Sequence, residues 1–150
     1  MKLAEALILR KDLQTRLEEL RDRLTTNALV QEGEQPAEDP QLLLTELGKL
    51  TEQLEDLIAR INLTNAAEHR DGKTLTELLA RREVLTTRIS ILQSVLSTAS
   101  RTVMRGSRME VKIYSTVDVP ALRKECDDLS RDLRQLDTAI QSANWLIDLK

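Results

Sequence analysis

Phenylalanine is missing from the 150 residues of this chain, and tryptophan, tyrosine, cysteine and histidine occur once each. A sandwich or barrel packed around aromatic rings is therefore not expected, because Phe, Tyr and Trp normally dominate such cores. A lone cysteine, Cys126, cannot close an internal disulfide, and its usage fits a reducing cytoplasm. It falls on an apolar repeat, where a small buried hydrophobe is the expected role. A lone histidine, His69, has no second histidine at ligand spacing, so a solvated turn residue is expected and no metal or cofactor is. The chain also lacks a phosphate-cradling glycine loop followed by Lys-Ser/Thr, a nucleophile elbow and any paired metal-ligand motif. These gaps point away from an enzyme. No apolar run approaches the length needed to cross a bilayer, so no transmembrane segment is expected. The opening run MKLAEALIL is broken by Arg10, Lys11 and Asp12 and reads as helix rather than as a secretion signal.

What the chain has is leucine at regular steps. Hydrophobic residues make up 41% and charged residues 31%, the mixture of amphipathic helices, and the length suits one domain over 1–150. Leu3, Ala6, Arg10, Leu13, Leu17, Leu20 and Leu24 follow alternating three- and four-residue steps. So do Leu43, Leu47, Leu50, Leu54, Leu57 and Ile61; Leu75, Leu78, Arg82, Leu85, Ile89, Leu92 and Leu96; and Leu122, Cys126, Leu129, Leu133, Leu136, Ile140, Ala143 and Ile147. This coiled-coil-type spacing keeps one stripe of each helix toward a neighbour. It predicts an all-α fold, an antiparallel bundle of four long helices at about 2–27, 40–70, 74–104 and 119–148.

Local signals set the helix ends. Asp39 and Pro40 suit an N-cap and first helical position, and Thr74 with Glu77 makes a capping box. His69-Arg70-Asp71-Gly72 marks the turn after helix 2. The apolar residues of 110–117 alternate as in a strand, and Ala28-Leu29-Val30-Gln31 is the other short β-like piece. In an up-down-up-down bundle the 1–2 and 3–4 connections share an end. A small two-stranded ribbon is expected to join them there.

Two arginines interrupt the repeats. With heights counted along antiparallel helices, Arg10, Asn62, Asn65, Arg82, Gln141 and Asn144 fall in one layer, roughly 6–12 Å from the end holding the 2–3 turn. A buried guanidinium must meet an anion or several acceptors, and Asn and Gln supply carbonyl oxygens. Glu5, Asp12, Glu68, Asp137 and Asp148 are the internal anions at this level. One reading is a polar layer that fixes register. A second is a site for a small anionic ligand, and a third is that the two arginines lie at the surface because the seam drifts around the helix.

Charge elsewhere is arranged simply. Asp127, Asp128 and Asp132 interleave with Arg131 and Arg134 and read as a salt-bridged outer face. Arg101, Arg105, Arg108 and Lys112 form a basic segment that could touch nucleic-acid phosphates. Only Tyr114 is near for stacking, and the net charge is −3, both of which argue against nucleic acid.

Several segments resemble a family of uncharacterised bacterial helical proteins known as septicolysin-like. They are Lys2-Leu3-Ala4-Glu5-Ala6-Leu7 with Arg10 and Asp12-Leu13-Gln14; Asn27 to Glu34; Arg60-Ile61-Asn62-Leu63-Thr64-Asn65; Leu78-Leu79-Ala80-Arg81-Arg82; and Leu136 to Gln141 with Asn144-Trp145. The resemblance spans nearly the whole chain. It implies an oligomeric helical protein and supplies no catalytic residues. The expectation is a non-enzymatic cytoplasmic protein that self-associates into a homo-oligomer, with leucines off the main stripes left for partner chains. The alternative is a module binding an anion or nucleic acid through Arg10 and Arg82 or through 101–112. A membrane-active role ranks below both, since it would require the bundle to open and expose its leucine seams.

Overall fold

In a computed structural model of the chain, residues 1–101 and 112–150 are described. The fold is all-α, and the described residues form four helices: α1 (Leu3–Thr26), α2 (Pro40–Ala67), α3 (Leu75–Ala99) and α4 (Val119–Leu146). Two compact units divide them, residues 1–74 with 142–150, and residues 75–141.

The first unit is an antiparallel α1–α2 pair. Most of its buried residues belong to the leucine stripe: Leu3, Ala6, Leu13 and Leu20 on α1, and Leu43, Leu50, Leu57 and Ile61 on α2. α2 starts where the sequence puts it, with Asp39 accepting the Gln41 N–H at 2.9 Å and Pro40 in the first turn. α1 stops at Asn27, a buried polar residue. Its side-chain amide donates to the Arg23 carbonyl at 2.9 Å, and its Oδ1 accepts the Glu38 N–H at 3.0 Å. One side chain therefore closes α1 and pins the far end of the 28–38 connection.

Residues 1–3 and 147–149 add a short antiparallel bridge to this unit. The Leu3 N–H donates to the Ile147 carbonyl and the Leu149 N–H to the Met1 carbonyl, both at 2.9 Å. Beside them the Lys2 ammonium meets the Asp148 carboxylate at 2.9 Å.

The β ribbon lies in the 2–3 turn, not between the 1–2 and 3–4 connections. β1 (His69–Arg70) pairs with β2 (Lys73–Thr74) in antiparallel register. Asp71 and Gly72 join them at φ 51° and 78°. Two consecutive positive φ values are what a two-residue hairpin with native strand twist requires, and Asp-Gly supplies them. Ala28–Gln31, by contrast, leaves α1 directly after the Asn27 clasp and forms no strand. The other expected strand is described only from Lys112 onward and is irregular there; 102–111 lie outside the described residues.

The second unit is an antiparallel α3–α4 pair. Arg82 faces Asp137 and Arg88 faces Glu125, so rising numbers on one helix meet falling numbers on the other. α4 is capped by Asp118, whose Oδ1 accepts the Ala121 N–H at 3.0 Å. Among the described residues of this unit few are buried: Leu75, Leu78, Ile89, Cys126 and Ile140. The rest of the stripe, including Leu85, Leu92, Leu129 and Leu133, is half-buried.

Replacing Asn27 with alanine should remove two hydrogen bonds at a buried position and cost about 1–2 kcal/mol. Urea titration followed by circular dichroism would measure the loss, and faster proteolysis within 28–38 should accompany it.

Candidate functional site

The six residues of the expected polar layer are not equally placed. In the first unit, Arg10, Asn65 and Asn144 are half-buried, while Asn62 faces solvent. The polar side chain that is fully enclosed on this stretch of α2 is Thr64, with no accessible surface. Its hydroxyl donates to the Arg60 carbonyl at 2.8 Å and accepts the Lys150 N–H at 3.0 Å. Arg60 Nε reaches the Lys150 carbonyl at 2.8 Å, and Lys150 Nζ lies 3.3 Å from Glu68. These groups hold segment 147–150 against the end of α2.

In the second unit Arg82 is half-buried on α3, and Gln141 is exposed on α4. Arg82 meets one of the anions expected at its level, Asp137, at 3.7 Å, with both side chains more than a third exposed. That exposure settles the energetics. The pair avoids the full desolvation penalty of a buried charge, and its attraction is weakened by water. Two other expected anions serve different cations: Asp148 pairs with Lys2, and Glu68 with Lys150. Glu5 instead accepts the Lys2 N–H at 2.6 Å at the start of α1.

Both polar residues buried among those described, Asn27 and Thr64, lie within reach of the repeat. Continuing Leu17, Leu20 and Leu24 by one three-residue step gives Asn27, and continuing Leu54, Leu57 and Ile61 gives Thr64. Each seam ends on a neutral hydrogen-bonding side chain. A neutral group can satisfy itself with two bonds, whereas a charge would need more partners than a helix end offers.

Other expected residues stand as follows. Arg101 is exposed and Lys112 likewise, while Arg105 and Arg108 lie outside the described residues. Asp128 on the outer face of α4 takes Arg131 at 3.0 Å and Lys124 at 3.4 Å. Cys126 is buried, and His69 is exposed on the ribbon with Nδ1 3.0 Å from the Ala67 carbonyl oxygen. A surface pocket of about 470 Å³ is lined by the end of α3 (Val95, Thr98, Ala99) and by Ile113, Tyr114 and Val117. Among the described residues no helix is long and apolar enough to cross a membrane, and no group of acidic, His or Cys side chains is placed to hold a metal.

One bidentate ion pair follows from no sequence pattern. Arg23 of α1 bonds both carboxylate oxygens of Glu38 through its Nε, at 3.0 and 3.2 Å, and lies 3.7 Å from Glu46. This fork reinforces the Asn27 clasp, because Glu38 is the residue whose N–H Asn27 holds.

The model of a family of unknown function, DUF6847, matches residues 10–149. The chain belongs to this family. A crystal structure of a functionally unknown conserved protein from Corynebacterium diphtheriae is 40% identical to it. The likeness covers 100% of this chain and 99% of that one, at a TM-score of 0.92. No curated protein matches. The DUF6847 fold is thus shared across a substantial sequence distance, while neither description assigns an activity.

Two outcomes test these assignments. Arg82→Leu should change stability by no more than about 1 kcal/mol, because an exposed pair contributes little; a fall of several kcal/mol would mean the guanidinium has deeper partners. The Arg23 bond holds the Glu38 carboxyl below its ordinary range, and Lys2 does the same to Asp148. A lowered carboxylate contributes stability above its unfolded value, near 4 for both residue types, and loses it as pH falls through the folded value. Glu38→Gln should therefore flatten the acid limb of the stability profile below about pH 5.

Proposed function

We propose that this DUF6847 protein is a non-enzymatic, self-associating helical protein of the cytoplasm, with its polar seam residues setting register rather than binding a ligand. The observation that carries this reading is the set of large apolar side chains left in water among the described residues: Ile8, Leu42, Leu63, Ile91, Trp145 and Leu146 are each more than half exposed.

Other observations support the remaining parts. Arg82 already has Asp137 as its counter-ion, which ties α3 to α4 and fits a register role. Cys126 is buried within its unit, and the His69 ring nitrogen is engaged with a backbone carbonyl, so neither presents itself as a catalytic group. A single buried thiol suits a reducing compartment.

Sedimentation velocity and light scattering at micromolar concentration should give a mass of at least twice the 17.0 kDa monomer. A monomer across the accessible concentration range would overturn self-association. If phosphate, nucleotides or RNA raised the melting temperature, and Arg82→Leu abolished the rise, ligand binding would replace the register role.

A further inference from the structure

The groups that meet at residues 1–3 and 147–150 serve the ends of two helices at once. An α-helix leaves its first N–H groups and its last carbonyls without partners inside the helix. At the start of α1 the Leu3 N–H finds the Ile147 carbonyl at 2.9 Å. At the end of α4 the Leu146 carbonyl accepts a bond from the Lys2 ammonium at 3.0 Å. The Leu149 N–H, donating to the Met1 carbonyl, completes the exchange. Each helix end therefore supplies what the other lacks, and all of these residues belong to the first unit.

Segment 147–150 is fastened at several points but enclosed at none. Ile147 and Leu149 are half-buried, and Asp148 and Lys150 are exposed. Its ion pairs, Lys2–Asp148 at 2.9 Å and Lys150–Glu68 at 3.3 Å, join side chains that are all more than a third exposed, so water weakens both. The firm point is Thr64, which has no accessible surface and whose hydroxyl accepts the Lys150 N–H at 3.0 Å. Breaking that bond leaves a buried acceptor unsatisfied, which costs more than parting an exposed ion pair. Arg60 Nε holds the Lys150 carbonyl beside it at 2.8 Å. The seam is built differently, from leucines packed along its length. Buried Leu13 and Leu50 lie roughly 15 and 21 Å along their helices from Leu3 and Thr64.

We infer that residues 147–150 form a latch that opens and closes as one unit while the leucine seam of α1 and α2 stays packed. Local openings cost less than global unfolding where buried apolar contacts are few, and none of the four residues is buried. The bonds alternate along the segment. Ile147 and Leu149 reach residues 1–3, Asp148 reaches Lys2, and Lys150 reaches Thr64 and Arg60. A segment so short cannot leave one side and keep its geometry on the other. Opening bares the Leu3 N–H, the Thr64 hydroxyl and the Arg60 Nε together, at one end of the unit. The latch stands apart from the self-association proposed above and is read by a different measurement.

Hydrogen exchange of the full chain, followed by NMR, tests the latch. The Leu3, Leu149 and Lys150 amides should share one protection factor, at least about tenfold below those of Leu13 and Leu50, and urea short of unfolding should barely change it. Thr64→Val removes the acceptor of the Lys150 N–H alone. All three amides should nevertheless exchange about tenfold faster in this variant, the effect expected of one buried hydrogen bond. Thr64→Ser, which keeps the hydroxyl, should exchange as the wild type does. Acceleration at Lys150 only would overturn the latch, because the segment would then not move as a unit. Protection at Leu3, Leu149 and Lys150 equal to that at Leu13 and Leu50 would overturn it as well, since the segment would open only with the whole unit. Equal acceleration in Thr64→Ser would remove the hydroxyl as the fastening. Should Thr64→Val fail to fold, the wild-type comparison of the two groups of amides decides by itself.

Discussion

Everything in this chain depends on how much a pair of leucine-striped helices can bury. Two antiparallel helices share one seam. Each presents about a third of its circumference to the other, and the remainder faces outward. With no phenylalanine and a single tryptophan, width at that seam comes from leucine above all. Leu13, Leu20, Leu43, Leu50 and Leu57 fill it in the first unit, and every accessory contact there assumes their register. Asn27 can reach Glu38, and Thr64 can reach Lys150, only if α1 and α2 are packed at the height the leucines set.

The polar groups are sorted by charge along these seams. The buried polar residues among those described, Asn27 and Thr64, are neutral and bond to backbone partners. The charged interruptions keep contact with water, and Arg82 meets its carboxylate where water still reaches both. This division follows from desolvation. A neutral amide or hydroxyl recovers its lost hydration with one or two good hydrogen bonds, while an ion needs a partner of opposite charge and several donors or acceptors besides. The arginines in the repeats are tolerated because their long stems can lie along the seam and carry the guanidinium outward.

The helices are legible in the sequence because a 3-4 spacing sustained over six or more steps has one structural solution, and Asp39-Pro40 and Asp118 mark their own helix starts by local chemistry. The ribbon departs from expectation for an instructive reason. Alternation over 110–117 is a pattern of many residues, whereas the hairpin that forms is specified by only two, Asp71 and Gly72, and their positive φ values. Short-range turn chemistry outweighs a weak period when the strands are two residues long. The expected polar layer rests on matched heights, which cannot register rotation. Each residue turns the helix by about 100°, so Asn62, Thr64 and Asn65 share a level but face three directions. Thr64 continues the Leu57–Ile61 line and is the one with no accessible surface. The Arg23–Glu38 fork joins residues on opposite sides of a loop, and no periodicity reports a contact of that kind.

The uncharged turns of α3 show what averages conceal. A mean charge of 31% describes an ordinary amphipathic chain, and the hydrophobic repeat of α3 looks like those of the other helices. What differs is the side that the repeat leaves over. On α2, the residues between the leucines include Glu52, Glu55, Asp56 and Arg60, which keep that face in water. Between Ile89 and Ser100 the same positions hold Ser, Gln, Thr, Ile and Val. Such a face gains little from hydration and loses little on being covered, because no ion must be stripped of water. The last turns of α4 are built the same way: Thr138–Ile147 carries no charged residue, and Trp145 and Leu146 stand exposed there.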